Sequence, residues 1–271
     1  MGDLVDFGRR RSLLLPLFFA SAAFVSRAST DEPPYVLPTF HFRSAQATLE
    51  AHRALGEAIG RRFAAGAMRR LQEWPELQRS WLPALQRPPV RAMYQAFLEA
   101  NTAAYPEYVE ELRGIAHGAS LPFEAVFVAQ ISQEFAALLP SIGGEGASAP
   151  PTKAPAHDAD HCSDYMLCSA EGCFDCHNED GDANSINGTF LADIQLGAAE
   201  SRFLALVYMG ELPSGAFGVN ARGVGFTLNW VGPPAAASPG IGRGFVSRSL
   251  LDARGADDAL ARATRPGQSA G

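Results

Sequence analysis

Apolar residues in the first half of the chain recur at the spacing of amphipathic helices. From about residue 40 to residue 135 they return near a period of 3.6, with arginines between them. A second helical segment is predicted over 90–101. A third begins near Pro106, since proline is favoured in a first helical turn, and stops in the region of Gly114 to Gly118. A further helix is predicted from Leu121 through Ile131.

The pattern changes after residue 140. Ser, Gly, Pro and Ala dominate the following stretch to residue 160 without apolar periodicity, which predicts a flexible, exposed loop. Short apolar runs rich in β-branched and aromatic residues then predict strands, and they are followed by a loop that leads into a helix. The runs are Phe190–Leu196, Phe203–Met209, Val219 and Val224–Val231, and the loop and helix cover 242–254. Helices, then strands, then a helix predict the α+β class.

The N-terminus has the form of a secretory signal. Arg9 to Arg11 precede an apolar run of 13 residues, 13–25, and a small-residue cleavage site ends at Ala28. The run is shorter than the roughly 20 residues of a spanning helix, so a signal peptide over 1–28 is predicted and no stable membrane anchor. A Pro-rich linker is predicted over 29–39. The predicted location is outside the cell, or in the endomembrane or periplasmic lumen.

Bulk composition narrows the class of partner. The 271 residues, 47% of them hydrophobic, can bury the core of one or two domains. The formal charge is −7 and no basic face interleaved with aromatics appears, so nucleic acid is not an expected partner. No cofactor is expected. Asn187 begins an Asn-Gly-Thr sequon and is the predicted glycosylation site.

The four cysteines lie between residues 162 and 176 and carry the candidate chemistry. Cys162 follows the predicted loop and begins a strand. A turn at 170–172 and a second strand, which ends in polar residues, come next. A thiol in this position can act as a nucleophile if its pKa is lowered or a base is close. A four-thiolate metal site, a redox Cys-x-x-Cys and disulfides are the alternatives for the cluster. For Cys168, Cys173 and Cys176 a buried or disulfide-bonded state is preferred, and no metal ligand is assigned.

Position suggests how Cys162 acquires a base. Cleavage of the bond between His161 and Cys162 would free an α-amino group, whose pKa is about 8. One residue would then supply both the nucleophile and its base.

Several motifs, in order, resemble those of one enzyme family. They are Tyr105–Ala116, Leu121–Glu124, Cys162-Ser163-Asp164, His177–Asp180 and Val219–Val224. They are similar to signatures of the acyl-CoA:6-aminopenicillate acyltransferase family of autoproteolytic cysteine hydrolases, over about residues 40 to 262. The resemblance implies the four-layer αββα sandwich of N-terminal-nucleophile hydrolases.

The resemblance also implies roles for matched residues. Cys162 is the nucleophile released by self-cleavage, and Asp180 holds the α-ammonium group or orients the nucleophile. Asn220 donates to an oxyanion or a substrate carbonyl, which stabilises developing charge. Asn178 and His177 support the strand junction.

The predicted organisation is a helical region over 40–139, a flexible linker over 140–161 and a nucleophile-bearing core over 162–271. His161 stands where the family usually has glycine. Family members continue through further core strands, so the core within 162–271 is expected to be incomplete.

The predicted function is a self-processing cysteine amidohydrolase or acyltransferase. Its substrate would be a small acyl amide or an acyl-CoA-type thioester, and its two processed fragments would stay associated. The first alternative is an exported, non-catalytic relative that binds a ligand or partner. The second is a metal-binding protein that uses Cys and His.

Overall fold

Helices dominate residues 36–142, and most of the described strands lie beyond residue 142. The computed structural model describes residues 36–142, 162–170, 172–181, 183–213, 215–229 and 238–269. The predicted signal peptide, most of the 29–39 linker and most of the 140–161 loop, including His161, lie outside the described residues. The mixture of helices and strands confirms the predicted α+β class.

Helices and strands alternate little along the described chain. The helices are α1 (Leu49–Arg62), α2 (Ala64–Gln72), α3 (Leu82–Ala84), α4 (Pro88–Ala104), α5 (Pro106–Ala119), α6 (Phe123–Gln130), α7 (Ser132–Ile142), α8 (Arg243–Leu250) and α9 (Ala256–Ala263), with a π-helical turn at Leu77–Trp81. The strands are β1 (Thr39–Ser44), β2 (Ser163–Ser169), β3 (Gly172–Asn178), β4 (Thr189–Leu196), β5 (Arg202–Tyr208), β6 (Phe217–Asn220) and β7 (Gly225–Thr227). Short 3-10 turns cover Ala183–Ser185 and Ala199–Ser201.

The strands form one larger sheet and one hairpin. The larger sheet has the order β1-β4-β5-β6-β7, in which β1 runs parallel to β4 and the other neighbours are antiparallel. The hairpin pairs β2 with β3. Phe190, Ala192 and Ile194 are buried on β4, so every second side chain of this strand enters the core.

Aromatic side chains join the first helices to the sheet. The ring of Phe63, at the α1–α2 junction, stacks on that of Phe190 with centroids 3.9 Å apart. The ring of Phe40 meets Phe63 and Phe190 edge-on at 6.1 and 6.3 Å. The core therefore lies between one face of the sheet and the N-terminal helices.

Helices α1 and α5 approach each other closely through glycines. Gly56 and Gly60 on α1 face Gly114 and Gly118 on α5, four residues apart in each case. A Cβ atom at Gly114 would lie 2.3 Å from the backbone oxygen of Arg53, which is far inside contact distance. The predicted helix end, in the region of Gly114 to Gly118, is close to the observed one, but the glycines themselves serve helix packing. The helix ends at Ala119, where Ser120 adopts a left-handed φ of 56°.

The start of the helical region also differs from the prediction. Residues from about 40 onward were expected to be helical, but Thr39–Ser44 form β1, and the first helix begins at Leu49. Phe40 and Phe42 alternate with exposed Thr39, His41 and Arg43, which is the period of a strand. The parallel partner of β1 is β4, about 150 residues later in the chain, so no local signal announces the pairing.

Membrane-spanning potential was assessed for the described helices. None of them alone is long and apolar enough to cross a bilayer. The pair Phe123–Gln130 and Ser132–Ile142 passes the same test only when both helices are counted together, across a bend of 94°.

Candidate active site

The register of the hairpin determines which side chains surround Cys162. Asp164 pairs with His177, and Ser163 pairs with Asn178. One further step along both strands brings Cys162 beside Glu179. The Sγ atom of Cys162 donates a hydrogen bond to Oε2 of Glu179 at 3.3 Å.

The Cys162 thiol is held in its protonated form. It is half-buried, and its Sγ lies 4.0 Å from the backbone oxygen of Asp180. Burial raises the pKa of Cys162 above its ordinary value, and the adjacent carboxylate of Glu179 raises it further. Nucleophilic attack by this thiol therefore requires a group that takes its proton.

His177 bridges two carboxylates. Its Nδ1 lies 2.7 Å from Oδ1 of Asp164, and its Nε2 lies 2.8 Å from Oε2 of Glu179. The side chain is only 4% exposed. Burial lowers the pKa of His177, but the hydrogen bonds and charges of Glu179 and Asp164 outweigh burial and raise the pKa overall. The imidazole thus connects Asp164 to the carboxylate that contacts the thiol.

Side chains of the larger sheet hold these carboxylates in place. Oδ2 of Asp164 accepts hydrogen bonds from Thr227 Oγ1, at 2.9 Å, and from Asn229 Nδ2. Oε1 of Glu179 accepts one from the Tyr208 hydroxyl at the end of β5. Burial raises the pKa of Asp164, but its hydrogen bonds from His177, Thr227 and Asn229 lower it more, so the group is ionised at neutral pH. The hairpin is therefore tied to the sheet by the residues that surround Cys162.

The predicted site residues are only partly brought together. Cys162 and His177 share the carboxylate of Glu179. The side chain of Asp180 is exposed and has no hydrogen-bond partner among the described residues, although its backbone oxygen lies near Sγ. Asn178 is an exposed residue of β3 that pairs with Ser163. The roles predicted for Asp180 and Asn178 stay predictions.

Asn220 lies at the end of β6, and its side chain is fully used by backbone groups. It is 5% exposed. Its Nδ2 donates to the carbonyl oxygens of Leu251 and Ala253 at 3.1 and 2.7 Å. Its Oδ1 accepts from the backbone N–H groups of Arg222 and Val224 at 3.0 and 3.2 Å. No hydrogen bond joins it to Cys162 in the described part of the chain, and its role as an oxyanion donor stays a prediction.

Two further predicted positions concern processing and modification. His161, on the far side of the predicted cleavage point, lies outside the described residues. Asn187 is exposed in a turn, with a left-handed φ of 54°. Its glycosylation stays a prediction.

Sequence reasoning assigned no role to Glu179, Asp164 or Tyr208. A signal for the first two was present. A hairpin in which position 169 pairs with 172 also pairs position 164 with 177. The same register, continued outward, brings position 162 opposite 179. Tyr208 belongs to another sheet, and its contact depends on packing that no local pattern encodes.

The cysteines differ in state. Cys168 is disulfide-bonded, which is one of the two states expected for it from the sequence. A four-thiolate site that includes Cys168 therefore does not form. Cys176 is free and exposed, so the expectation that it is buried or disulfide-bonded is wrong for this residue. It sits on the strand face opposite to His177 and therefore points away from the cluster. The side chain of Cys173 lies outside the described residues.

Among described residues, Cys162, His177 and Glu179 form the group of metal-type donors whose atoms lie within 4.8 Å of one another.

Comparisons with known proteins bear on the family. Residues 168–270 match the family described as acyl-coenzyme A:6-aminopenicillanic acid acyl-transferase. The beta-alanyl-dopamine/carcinine hydrolase of Drosophila melanogaster is 26% identical over 222 residues, which cover 79% of this chain and 55% of that protein. The family resemblance is confirmed. The matched region includes Glu179, Asp180 and Asn220 and begins six residues after Cys162. The chain spans about half the length of the curated relative it matches.

Proposed function

We propose that the protein is an N-terminal-nucleophile cysteine hydrolase or acyltransferase that acts on an amide or thioester acyl donor. Cys162 would be the nucleophile, released by self-cleavage of the 161–162 bond, and the αββα sandwich would be the fold of the active form. One observation carries the proposal. The Cys162 thiol, in a chain that matches an acyltransferase family, donates to a carboxylate supported by His177.

Self-cleavage would begin with loss of the thiol proton. Glu179 Oε2, 3.3 Å from Sγ, would accept it, and the contact with His177 would hold that carboxylate in position. Sγ then attacks the carbonyl carbon of His161. The Sγ–C bond forms, the C–N bond breaks, and the proton ends on the new α-amino group of Cys162. Water hydrolyses the resulting thioester, which leaves a carboxylate on His161 and a free thiol.

Turnover would use the same thiol with a different base. The freed α-amino group, with a pKa of about 8, would take the Sγ proton as Sγ attacks the acyl carbonyl of the substrate. The α-ammonium group returns this proton to the departing amine or thiol of the donor, and an acyl-enzyme remains. Water would release the acyl group as an acid, and an amine acceptor would release it as a new amide. The carboxylate of Asp180, whose backbone oxygen lies 4.0 Å from Sγ, would hold the α-ammonium group.

Intact-mass spectrometry tests self-cleavage. The wild-type chain and the Cys162→Ala and Cys176→Ala variants would be purified with a metal chelator present. Cys176→Ala is the matched control, since it removes an exposed free thiol on the opposite face of β3. We expect two fragments, the second beginning at Cys162, for the wild type and Cys176→Ala, and a single chain for Cys162→Ala. A single uncut wild-type chain would overturn self-processing and would favour the non-catalytic alternative.

A trapping experiment tests the acyl-enzyme. The processed protein would be mixed with small acyl amides and acyl-CoA thioesters and quenched in acid. The proposal expects the fragment that begins at Cys162 to gain the mass of the acyl group. Acylation at Cys176 but not at Cys162 would contradict it.

A further inference from the structure

We propose that Cys162 Sγ, His177 Nε2 and Glu179 Oε2 together bind a divalent transition-metal ion, for which zinc is the best fit. The sequence suggested a four-thiolate site or a metal-binding protein that uses Cys and His, without assigning the ligands. The folded hairpin brings together a different set, which combines one sulfur, one nitrogen and one oxygen donor.

The donor spacing suits a small tetrahedral ion. Zn²⁺ binds S at about 2.3 Å and N or O at about 2.0–2.2 Å, so neighbouring ligand atoms stand about 3.4–3.6 Å apart. Sγ and Oε2 are 3.3 Å apart, and Nε2 and Oε2 are 2.8 Å apart. The third pair, Sγ and Nε2, lies within 4.8 Å, so shifts of about an ångström or less in each side chain would bring the three donors to these spacings. Three protein ligands leave a fourth position for water.

The surrounding hydrogen bonds orient the donors as in a built metal site. Metal-bound histidines usually donate their other ring N–H to a carboxylate, and here Nδ1 faces Asp164 at 2.7 Å. Asp164 is itself held by Thr227 and Asn229. The second oxygen of Glu179 accepts from Tyr208, which leaves Oε2 for the ion. Each ligand other than the thiol thus has its own support.

The local charge favours a dication. The carboxylates of Asp164 and Glu179 flank one imidazole, and no arginine forms an ion pair with either carboxylate among the described residues. Thiolate and imidazole donors select zinc-like ions, whereas calcium and magnesium prefer all-oxygen sites.

A bound ion would restrain the nucleophile. The Sγ electron pair that would attack the carbonyl carbon of His161 would instead be shared with the metal ion. Metal binding would therefore suppress self-cleavage, and a chelator would restore it. This consequence, unlike the metal site itself, rests on the proposed function.

Cobalt titration tests the site directly. The whole protein, cut or uncut, would be stripped of metal with a chelator and titrated with CoCl₂, and the thiolate-to-cobalt charge-transfer absorption would be followed. We expect the band in the wild type and Cys176→Ala, its loss in Cys162→Ala, and its bleaching by ZnCl₂. Asp164→Asn should retain the band but weaken affinity about 10–100-fold, because it removes support for His177. Circular dichroism of each variant would verify folding.

The outcomes separate the metal site from self-processing. A missing band in the folded wild type, or a band that persists in Cys162→Ala and disappears in Cys176→Ala, would overturn the metal site. Mass spectrometry of wild type with chelator or with ZnCl₂ would be run in parallel. Cleavage with chelator but no cobalt band would refute the metal site alone. A cobalt band without cleavage in chelator would support the metal site and refute self-processing alone.

Discussion

At the scale of single residues, the base for self-cleavage is the question that the geometry addresses. Glu179 is the nearest described acceptor for the thiol proton, at 3.3 Å, whereas the carboxylate of Asp180 has no contact with Sγ. Asp180, as the matched family residue, would act after cleavage on the α-ammonium group. The two neighbouring carboxylates are therefore expected to serve different steps.

Substitution of each carboxylate separates the steps. Glu179→Gln keeps the shape of the side chain but cannot accept the proton, so self-cleavage should slow by about 10²–10⁴-fold, the usual contribution of a general base. Asp180→Asn should cleave at nearly the wild-type rate and then lose turnover. Fragment formation would be timed by mass spectrometry with chelator present, so that metal occupancy does not contribute. Equal cleavage rates for Glu179→Gln and wild type would rule out Glu179 as the base.

The candidate site shows what residue patterns can and cannot reveal. Cys162 and His177 were visible because unusual residue types cluster in the sequence. Glu179 was attributed no role, because counting from Cys162 to the motif residue Asp180 ignored the strict pairing of the hairpin. Asn220 matches the family motif, yet all four of its side-chain hydrogen bonds go to backbone groups. The motif alone cannot reveal that these backbone groups already occupy the side chain.

At the scale of elements, four glycines allow helices α1 and α5 to approach each other closely. Each of its four glycines would place a Cβ atom 1.9–2.3 Å from a backbone oxygen of the facing helix. Backbone atoms cannot rotate away as side chains do. A methyl group at this contact must therefore push the helices apart.

Alanine substitution of Gly114 measures that constraint. Alanine favours a helix over glycine by about 1 kcal/mol, but overpacking costs about 1–3 kcal/mol, and here the obstacle is backbone. We expect Gly114→Ala to lower the free energy of unfolding in urea. Gly66→Ala is the matched control, because its Cβ would meet only the movable side chain of Met209. If Gly66→Ala proves more destabilising than Gly114→Ala, the backbone contact does not limit the packing.

Local pattern predicted elements well where their partners are near in sequence. Strands β4 and β5 pair with each other, and both were predicted nearly to their ends. Strand β1 was missed because its alternation is short and its partner β4 is remote. The glycines of α5 were interpreted as a helix end, because their reason for being there lies on α1.

At the scale of the whole molecule, a buried ion pair connects elements from both ends of the described chain. Arg248 on α8 and Glu111 on α5 are both fully buried and lie 3.2 Å apart. His52 on α1 meets the same carboxylate at 3.0 Å, and the Arg248 guanidinium stacks over the ring of Phe203 on β5 at 4.7 Å. The cluster therefore couples the N-terminal helices to the sheet and to α8.

Removal of one partner should expose the cost of this burial. Loss of one member of a buried pair leaves an uncompensated charge and costs about 3–5 kcal/mol, so Glu111→Gln should lower the free energy of unfolding at pH 7 by that order. Glu110→Gln is the control, because its partly exposed pairs with Arg53 and Arg113 are worth about 0–1 kcal/mol. Urea unfolding at neutral pH would measure both. Equal losses would show that Glu111 is not the essential partner of Arg248.

The pH dependence of the same variant gives an independent check. Burial raises the pKa of Glu111, but the Arg248 charge and the His52 hydrogen bond outweigh it, so the folded-state pKa lies below the ordinary value. A lowered carboxyl pKa contributes stability that is complete above the unfolded value of about 4.3 and is lost as pH falls through the folded value. Wild-type stability should therefore decline more steeply below about pH 5 than that of Glu111→Gln. The buried Glu134, whose pKa is raised mainly by burial, acts in the opposite direction in both proteins, so the difference between their urea-unfolding curves isolates Glu111. Parallel declines would mean that the Glu111 charge does not stabilise the fold.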